Sequence, residues 1–322
     1  TLRKQSRPLA NTTKSGEQRS EDPDRIECAH NFSSFVGRVK EGKVVAKGKR
    51  VGIVDFVSDA IELNRQSGLN TIAEQIDLLN GQWNDFVSGI GELNVPMICM
   101  LDTSGSMGEL GPKNGHNTPL LAALGLACVI SQKSSVKDRV MTFSGSPRWI
   151  TLNGITTFEQ RVQYLSYTDW GFNTDFYAAM DLLLECAVEN KISAEEMNKM
   201  VICILSDMQI DQAQPRDYKA TPDQIKMREN TMEENIVKKY HDAGIRAVGK
   251  PYVRPHIFFW NLRSTNGFPT ISSTPNSTMC SGYSPALLNV FCEKGIEGLR
   301  EISPWTGFIE EINHARYNFL SW

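Results

Sequence analysis

Five oxygen-bearing residues stand out for their chemistry: Asp102, Ser104, Ser106, Thr174 and Asp207. The first three belong to Asp102-Thr103-Ser104-Gly105-Ser106, directly after the apolar run VPMICML (95–101). Alternate residues of such a loop converge their oxygens on one point, and Gly105 is expected to permit the tight backbone this needs. Thr174 follows Gly171-Phe172-Asn173 at an expected helix start, and Asp207 ends the apolar run MVICILSD (200–207). Hydroxyls and carboxylates without His or Cys suit a hard cation, so Mg²⁺ or Mn²⁺ is expected, with Ca²⁺ next and Zn²⁺ disfavoured. Ser104, Ser106 and Thr174 are read as direct ligands. Asp102 and Asp207 are read as acting through bound water and by orienting the hydroxyls. A cation so short of negative charge stays electrophilic and takes a carboxylate from a protein partner as its last ligand.

The elements that must position these residues alternate in type. VPMICML and MVICILSD read as buried parallel strands, and HIFFWNL (256–262) and STMCSGY (277–283) as a fifth and sixth. RVMTF (139–143) and RWITL (148–152) flank a Ser-Gly-Ser-Pro turn and read as an antiparallel hairpin. Between them, Thr118 is placed to cap a helix with Pro119 at its first position, PLLAALGLACVISQK, apolar on most faces. Further helices are expected over about 174–190, over 223–243 with Gly244 ending it, and after Ser284-Pro285. Strands alternating with helices imply an α/β fold: a doubly wound, mostly parallel six-stranded sheet with right-handed crossovers. Ligands of such sheets lie beyond the strand C-terminal ends, where the polar clusters fall.

Upstream, residues 1–27 read as a disordered arm and 28–92 as a basic linker with helices, leaving 93–322 as the α/β domain. Ile72, Ile76, Leu79, Trp83, Phe86 and Ile90 are spaced as one face of a helix, read as core or as packing against a neighbour. Residues 1–50 hold 12 Lys/Arg against 6 Asp/Glu, in a chain whose formal net charge is −3. Arg38, Lys40, Lys43, Lys47, Lys49 and Arg50 are the densest cluster and are candidates for RNA phosphate contact, against the alternative of a solvated linker. The seven cysteines show no CxxC pairing, and the polar N-terminus has no apolar signal run. An intracellular, cytoplasmic setting without a membrane span is therefore expected. The chain begins without Met and reads as a fragment or processed product.

The order D-x-S-x-S after an apolar strand, then a Thr loop, then a strand-end Asp, resembles the metal-ion-dependent adhesion site of von Willebrand factor A-type (vWA) domains. The stretches GFNTDFYAAMDLLL (171–184), ILSDMQID (204–211), IFFWNLRST (257–265) and SGYSPALLNVF (281–291) sharpen this. They look like the vWA-like C-terminal half of a family of uncharacterised proteins of plants, fungi, protists and giant viruses. In that family the helical N-terminal half resembles the TROVE module of the Ro ribonucleoprotein. The resemblance covers about residues 80–320, extends less firmly over 28–79, and makes the helices at 51–90 the tail of an upstream helical module. It implies a non-enzymatic, metal-dependent partner-binding module within an RNA-associated protein.

The competing chemistry is Mg²⁺-dependent phosphotransfer through an aspartyl phosphate on Asp102. Enzymes of that kind need a loop lysine and a later acidic pair, and Asp207 with Asp211, separated by Met-Gln-Ile, copies that pair poorly. Asp175 and Asp211 read either as outer residues of the metal site or as helix caps. His30, His116, His241, His256 and His314 are scattered without a paired nucleophile, so no Ser/His/Asp hydrolase is expected. Trp260, inside a strand, reads as core.

Overall fold

A computed structural model of the chain describes residues 6–13, 15–66, 70–93, 95–108, 119–143, 146–167, 175–207, 222–263, 276–282 and 313. Four helices come first: α1 (Ser6–Leu9), α2 (Pro23–Lys40), α3 (Ile53–Arg65) and α4 (Asn70–Ser88). The α/β part then runs β1 (Met97–Asp102), a 3₁₀ turn (Gly105–Met107), α5 (Pro119–Lys133), β2 (Arg139–Phe143), β3 (Trp149–Thr151) and α6 (Phe158–Ser166). It continues with α7 (Phe176–Glu189), α8 (Ala194–Lys199), β4 (Val201–Ser206), α9 (Pro222–Val248), β5 (His256–Asn261) and β6 (Ser277–Ser281).

The six strands form one sheet in the order β3-β2-β1-β4-β5-β6, parallel except for the antiparallel β2–β3 pair. Chain order therefore reverses between β1 and β4. In open α/β sheets that point opens a crevice beyond the strand ends. β1 and β4 are paired from Met97↔Val201 to Leu101↔Leu205, which brings their C-terminal ends level.

Side chains alternate across the sheet with period 2, so each strand feeds two cores. Cys99, Leu101, Cys203, Leu205, Phe258 and Trp260 face α3–α6, whereas Ile98, Met100, Ile202, Ile204, Ile257 and Phe259 face the side held by α7–α9. Both faces are covered, which is why β1, β4 and β5 read as unbroken apolar runs. Helix α5 is buried at every position from Leu120 to Ser131 because it lies between the sheet and α3. The same contacts put the stripe on α4 to use: Ile72, Leu79, Trp83 and Ile90 are buried in this core, with Ile76 and Phe86 packed against it.

Some boundaries differ from the sequence reading. Helix α2 begins at Pro23, inside the arm expected to be disordered, with Asp22 Oδ1 accepting from the Asp24 N–H and Pro23 at the first turn. Helix α9 runs through Gly244 to Val248, because Gly244 serves a close approach and not a stop. A Cβ there would lie 2.2 Å from the Tyr252 backbone N. The helix ends instead before Gly249, whose φ of +74° is left-handed. Pro119 does open α5, while its expected cap Thr118 and the helix after Ser284 lie outside the described residues. Helices α6 and α8 are not legible in the sequence, being only nine and six residues long.

Candidate metal centre

Asp102 closes β1 and Asp207 follows β4, so the two carboxylates meet where the strand order reverses. Both are buried, with Ser104 buried and Ser106 half-buried beside them. Asp102 Oδ1 accepts the Ser104 backbone N–H at 2.9 Å, and Asp102 Oδ2 accepts the Ser206 hydroxyl at 2.5 Å. Its carboxylate thus shapes the loop that carries the serines. The Ser106 hydroxyl donates to Asp207 Oδ1 at 3.1 Å and lies 3.1 Å from Ser104 Oγ. The Asp207 backbone N–H points at Met107 Sδ, 3.1 Å away, which ties the 3₁₀ turn to the end of β4.

Burial raises the Asp102 carboxyl above its ordinary range. The hydrogen bonds from Ser206 and Ser104 oppose this, and the nearby Asp207 charge adds to it. Two buried carboxylates this near each other favour positive charge beside them, part of which the Arg263 guanidinium supplies to Asp207 at 3.1 Å. The donor set is all oxygen, the chemistry a hard cation takes. Ser104 Oγ and Ser106 Oγ, the two expected direct ligands among the described residues, stand 3.1 Å apart. With metal–oxygen distances near 2.0–2.1 Å, adjacent ligands of an octahedral ion stand about 2.9 Å apart, so the chemistry of these residues is compatible with a small divalent ion.

Four of the five expected residues are brought together. The fifth, Thr174, lies outside the described residues, as does Asp211. Asp175 is a helix cap: its Oδ1 accepts the Ala178 N–H at 3.0 Å at the start of α7. Gly105 is not needed for a strained turn, since its φ is not left-handed and a Cβ would meet nothing within 4 Å. His256 opens β5 at the opposite edge of the sheet, buried between Asn276 and Thr278, and takes no part in the site. Trp260 is core, with Nε1 donating to Gly282 O at 2.7 Å.

Two contributors were not anticipated. Ser206 is the last residue of β4, and its hydroxyl reaches across to Asp102. Arg263 lies just beyond β5 and places Nη1 3.1 Å from Asp207 Oδ2. The available signal was positional, because the end of the β5 run lies on the same sheet edge as the other two loops.

The six cations of the basic cluster are all exposed, at the end of α2 and in the stretch that follows it. Acids interleave with them: Lys40 pairs with Asp77 at 3.0 Å and Lys43 with Glu41 at 2.7 Å. Asp85 accepts the backbone N–H groups of Gly48 and Lys49. Among the described residues no helix is long and apolar enough to cross a membrane.

Fold and site together define an α/β protein with a cluster of oxygen-bearing side chains at the reversal point of a mostly parallel sheet. The chain belongs to the family described as Domain of unknown function (DUF7788), which matches residues 96–313. It is also similar to "Uncharacterized protein L728" of Acanthamoeba polyphaga mimivirus, 26% identical over 270 residues. That match takes in 82% of this chain and 41% of the viral protein, so the chain spans less than half of its relative. Among solved structures, the Deinococcus radiodurans RO (RSR) protein aligns with a TM-score of 0.41 and 12% identity, over 87% of this chain and 57% of that one.

Proposed function

We propose that the chain is a non-enzymatic, vWA-like module that binds Mg²⁺ or Mn²⁺ through Ser104, Ser106 and Thr174, with Asp102 and Asp207 as supporting carboxylates, and uses the ion to take a carboxylate from a protein partner. The observation that carries this reading is the convergence of Ser104 Oγ, Ser106 Oγ and Asp207 Oδ1 at 3.1 Å steps where β1 and β4 end. A bound divalent ion would supply a Lewis-acidic position for a ligand oxygen. Asp102 accepts the Ser104 N–H on one oxygen and the Ser206 hydroxyl on the other, which suits a carboxylate that shapes the loop and orients its hydroxyls. Contact with RNA through Arg38, Lys40, Lys43, Lys47, Lys49 and Arg50 is a second reading, favoured by the exposure of all six.

The test is metal-dependent stabilisation. At a free ion concentration a hundred times Kd, binding to the folded state alone adds about 2.7 kcal/mol. Mg²⁺ or Mn²⁺ should therefore raise the melting temperature of wild type and leave that of Asp102→Ala unchanged. Calorimetry that finds no divalent binding by wild type rejects the metal reading. A covalent phosphoaspartate on Asp102 after incubation with an acyl phosphate, seen by mass spectrometry, replaces it with phosphotransfer.

A further inference from the structure

The end of β5 brings a permanent positive charge to the same edge as the serines. Arg263 is pinned by its backbone N–H, which donates to Asn261 Oδ1 at 2.9 Å, and its Nη1 donates to Asp207 Oδ2 at 3.1 Å. The Arg263 side chain is 44% exposed and that of Asp207 0%, so the guanidinium reaches from the surface to a fully buried carboxylate. Asp207 is thereby divided: Oδ1 faces the serine hydroxyls and Oδ2 faces the guanidinium. Arg263 thus stands beside the oxygen set without occupying it.

We propose that Arg263 is a built-in second cation that couples divalent-metal binding to capture of a carboxylate ligand, so that metal and guanidinium hold one acidic group between them. This rests on the metal-binding reading above. A divalent ion bound beside Arg263 and Asp207 makes the site more positive by two charges, so the loaded site holds a carboxylate more tightly than the metal-free one. Guanidinium carries five N–H donors in a planar fork that matches a carboxylate, and a single one is used by Asp207. The same charge disfavours the metal when no anion is present. Metal and carboxylate therefore strengthen each other's binding, and the coupling is reciprocal.

The experiment measures Mn²⁺ affinity by titration calorimetry, with and without excess acetate at constant ionic strength, for wild type, Arg263→Ala and Arg263→Lys. The metal-free urea midpoint of each variant checks its fold. In wild type, acetate should tighten Mn²⁺ binding several-fold. Arg263→Ala should bind Mn²⁺ about ten-fold tighter without acetate, on the Coulomb scale of a half-exposed charge, and lose most of the acetate effect. Arg263→Lys keeps the charge and loses the fork, so its Mn²⁺ affinity should stay near wild type while the acetate effect shrinks. Wild-type Mn²⁺ affinity and a full acetate effect in Arg263→Ala overturn the proposal and leave the metal reading intact. If Arg263→Ala fails to fold, a full acetate effect in Arg263→Lys overturns it equally. Absence of Mn²⁺ binding by every variant overturns the metal reading and this proposal with it.

Discussion

Trp83→Ala tests whether the helices ahead of β1 are part of one folding unit with the sheet. Trp83 is completely buried in α4, and its ring stacks on Phe158 of α6 with centroids 3.7 Å apart. Phe56 of α3 meets it edge-on at 5.4 Å, and its Nε1 donates to Gln132 Oε1 of α5 at 3.1 Å. One side chain therefore joins α3, α4, α5 and α6. Truncation of a buried Trp costs about 3–5 kcal/mol. The loss belongs at the upper end here, because aromatic pairs worth about 0.5–1.5 kcal/mol each disappear and Gln132 loses a donor worth about 1 kcal/mol. Against a total stability of about 5–15 kcal/mol that is a large share. At roughly 2 °C per kcal/mol for a chain of this size, the melting temperature should fall by about 10 °C. Urea unfolding followed by far-ultraviolet circular dichroism should show a single transition moved bodily to lower denaturant, and Trp83→Phe should lose less than half as much. A biphasic curve whose main midpoint stays in place, or a loss under about 1 kcal/mol, refutes the reasoning and makes α3 and α4 an appendage.

Gly244→Ala should destabilise by about 1–3 kcal/mol in thermal melts despite the better helix propensity of Ala, because the new Cβ meets the Tyr252 N and Lys250 O backbone atoms at 2.2 and 2.6 Å. A neutral or stabilising result contradicts the close approach of α9 to the segment that follows it. Burial pushes the Cys128 thiol from 9.0 up to about 12. The unfolded chain then loses this proton first, so stability should fall as pH rises from about 9 toward 12, by up to about 1.4 kcal/mol per pH unit for this thiol. Alkaline urea titrations should show a shallower decline for Cys128→Ala, and an equal slope rejects the assignment. If the exposed cluster binds single-stranded RNA through Arg38, Lys47, Lys49 and Arg50, which form no ion pair among the described residues, the log–log salt slope should be about −3. Replacing those four with Ser should flatten the slope, whereas binding indifferent to them leaves the segment as plain solvated surface.

Much of this protein is written locally. Unbroken apolar runs ending in polar residues mark β1, β4 and β5, because a strand covered on both faces has no polar side to show. That D-x-S-x-S at the end of one such run and Asp207 at the end of another belong to one polar cluster is legible because strand-end placement is a property of the pattern. The stripe on α4 announced a buried face, and the all-round apolarity of α5 announced burial on every side.

What covers those faces is a matter of tertiary structure. No local signal says that α3 and α4 close over α5, since an amphipathic stripe specifies that it must be buried and not against what. Gly244 looks like a stop signal in one dimension, and only the returning segment around Tyr252 makes it a point of contact inside a longer helix. The partners within the site are likewise long-range. Ser206 reaches Asp102 across 104 residues of sequence, and Arg263 reaches Asp207 across 56. The sequence by itself thus determined the strands, the fold class and the oxygen donors, because each depends on residue type and spacing alone. The meeting of two carboxylates, two serines and a guanidinium at one end of the sheet was decided by the strand order, because β1, β4 and β5 are neighbours only in the folded sheet.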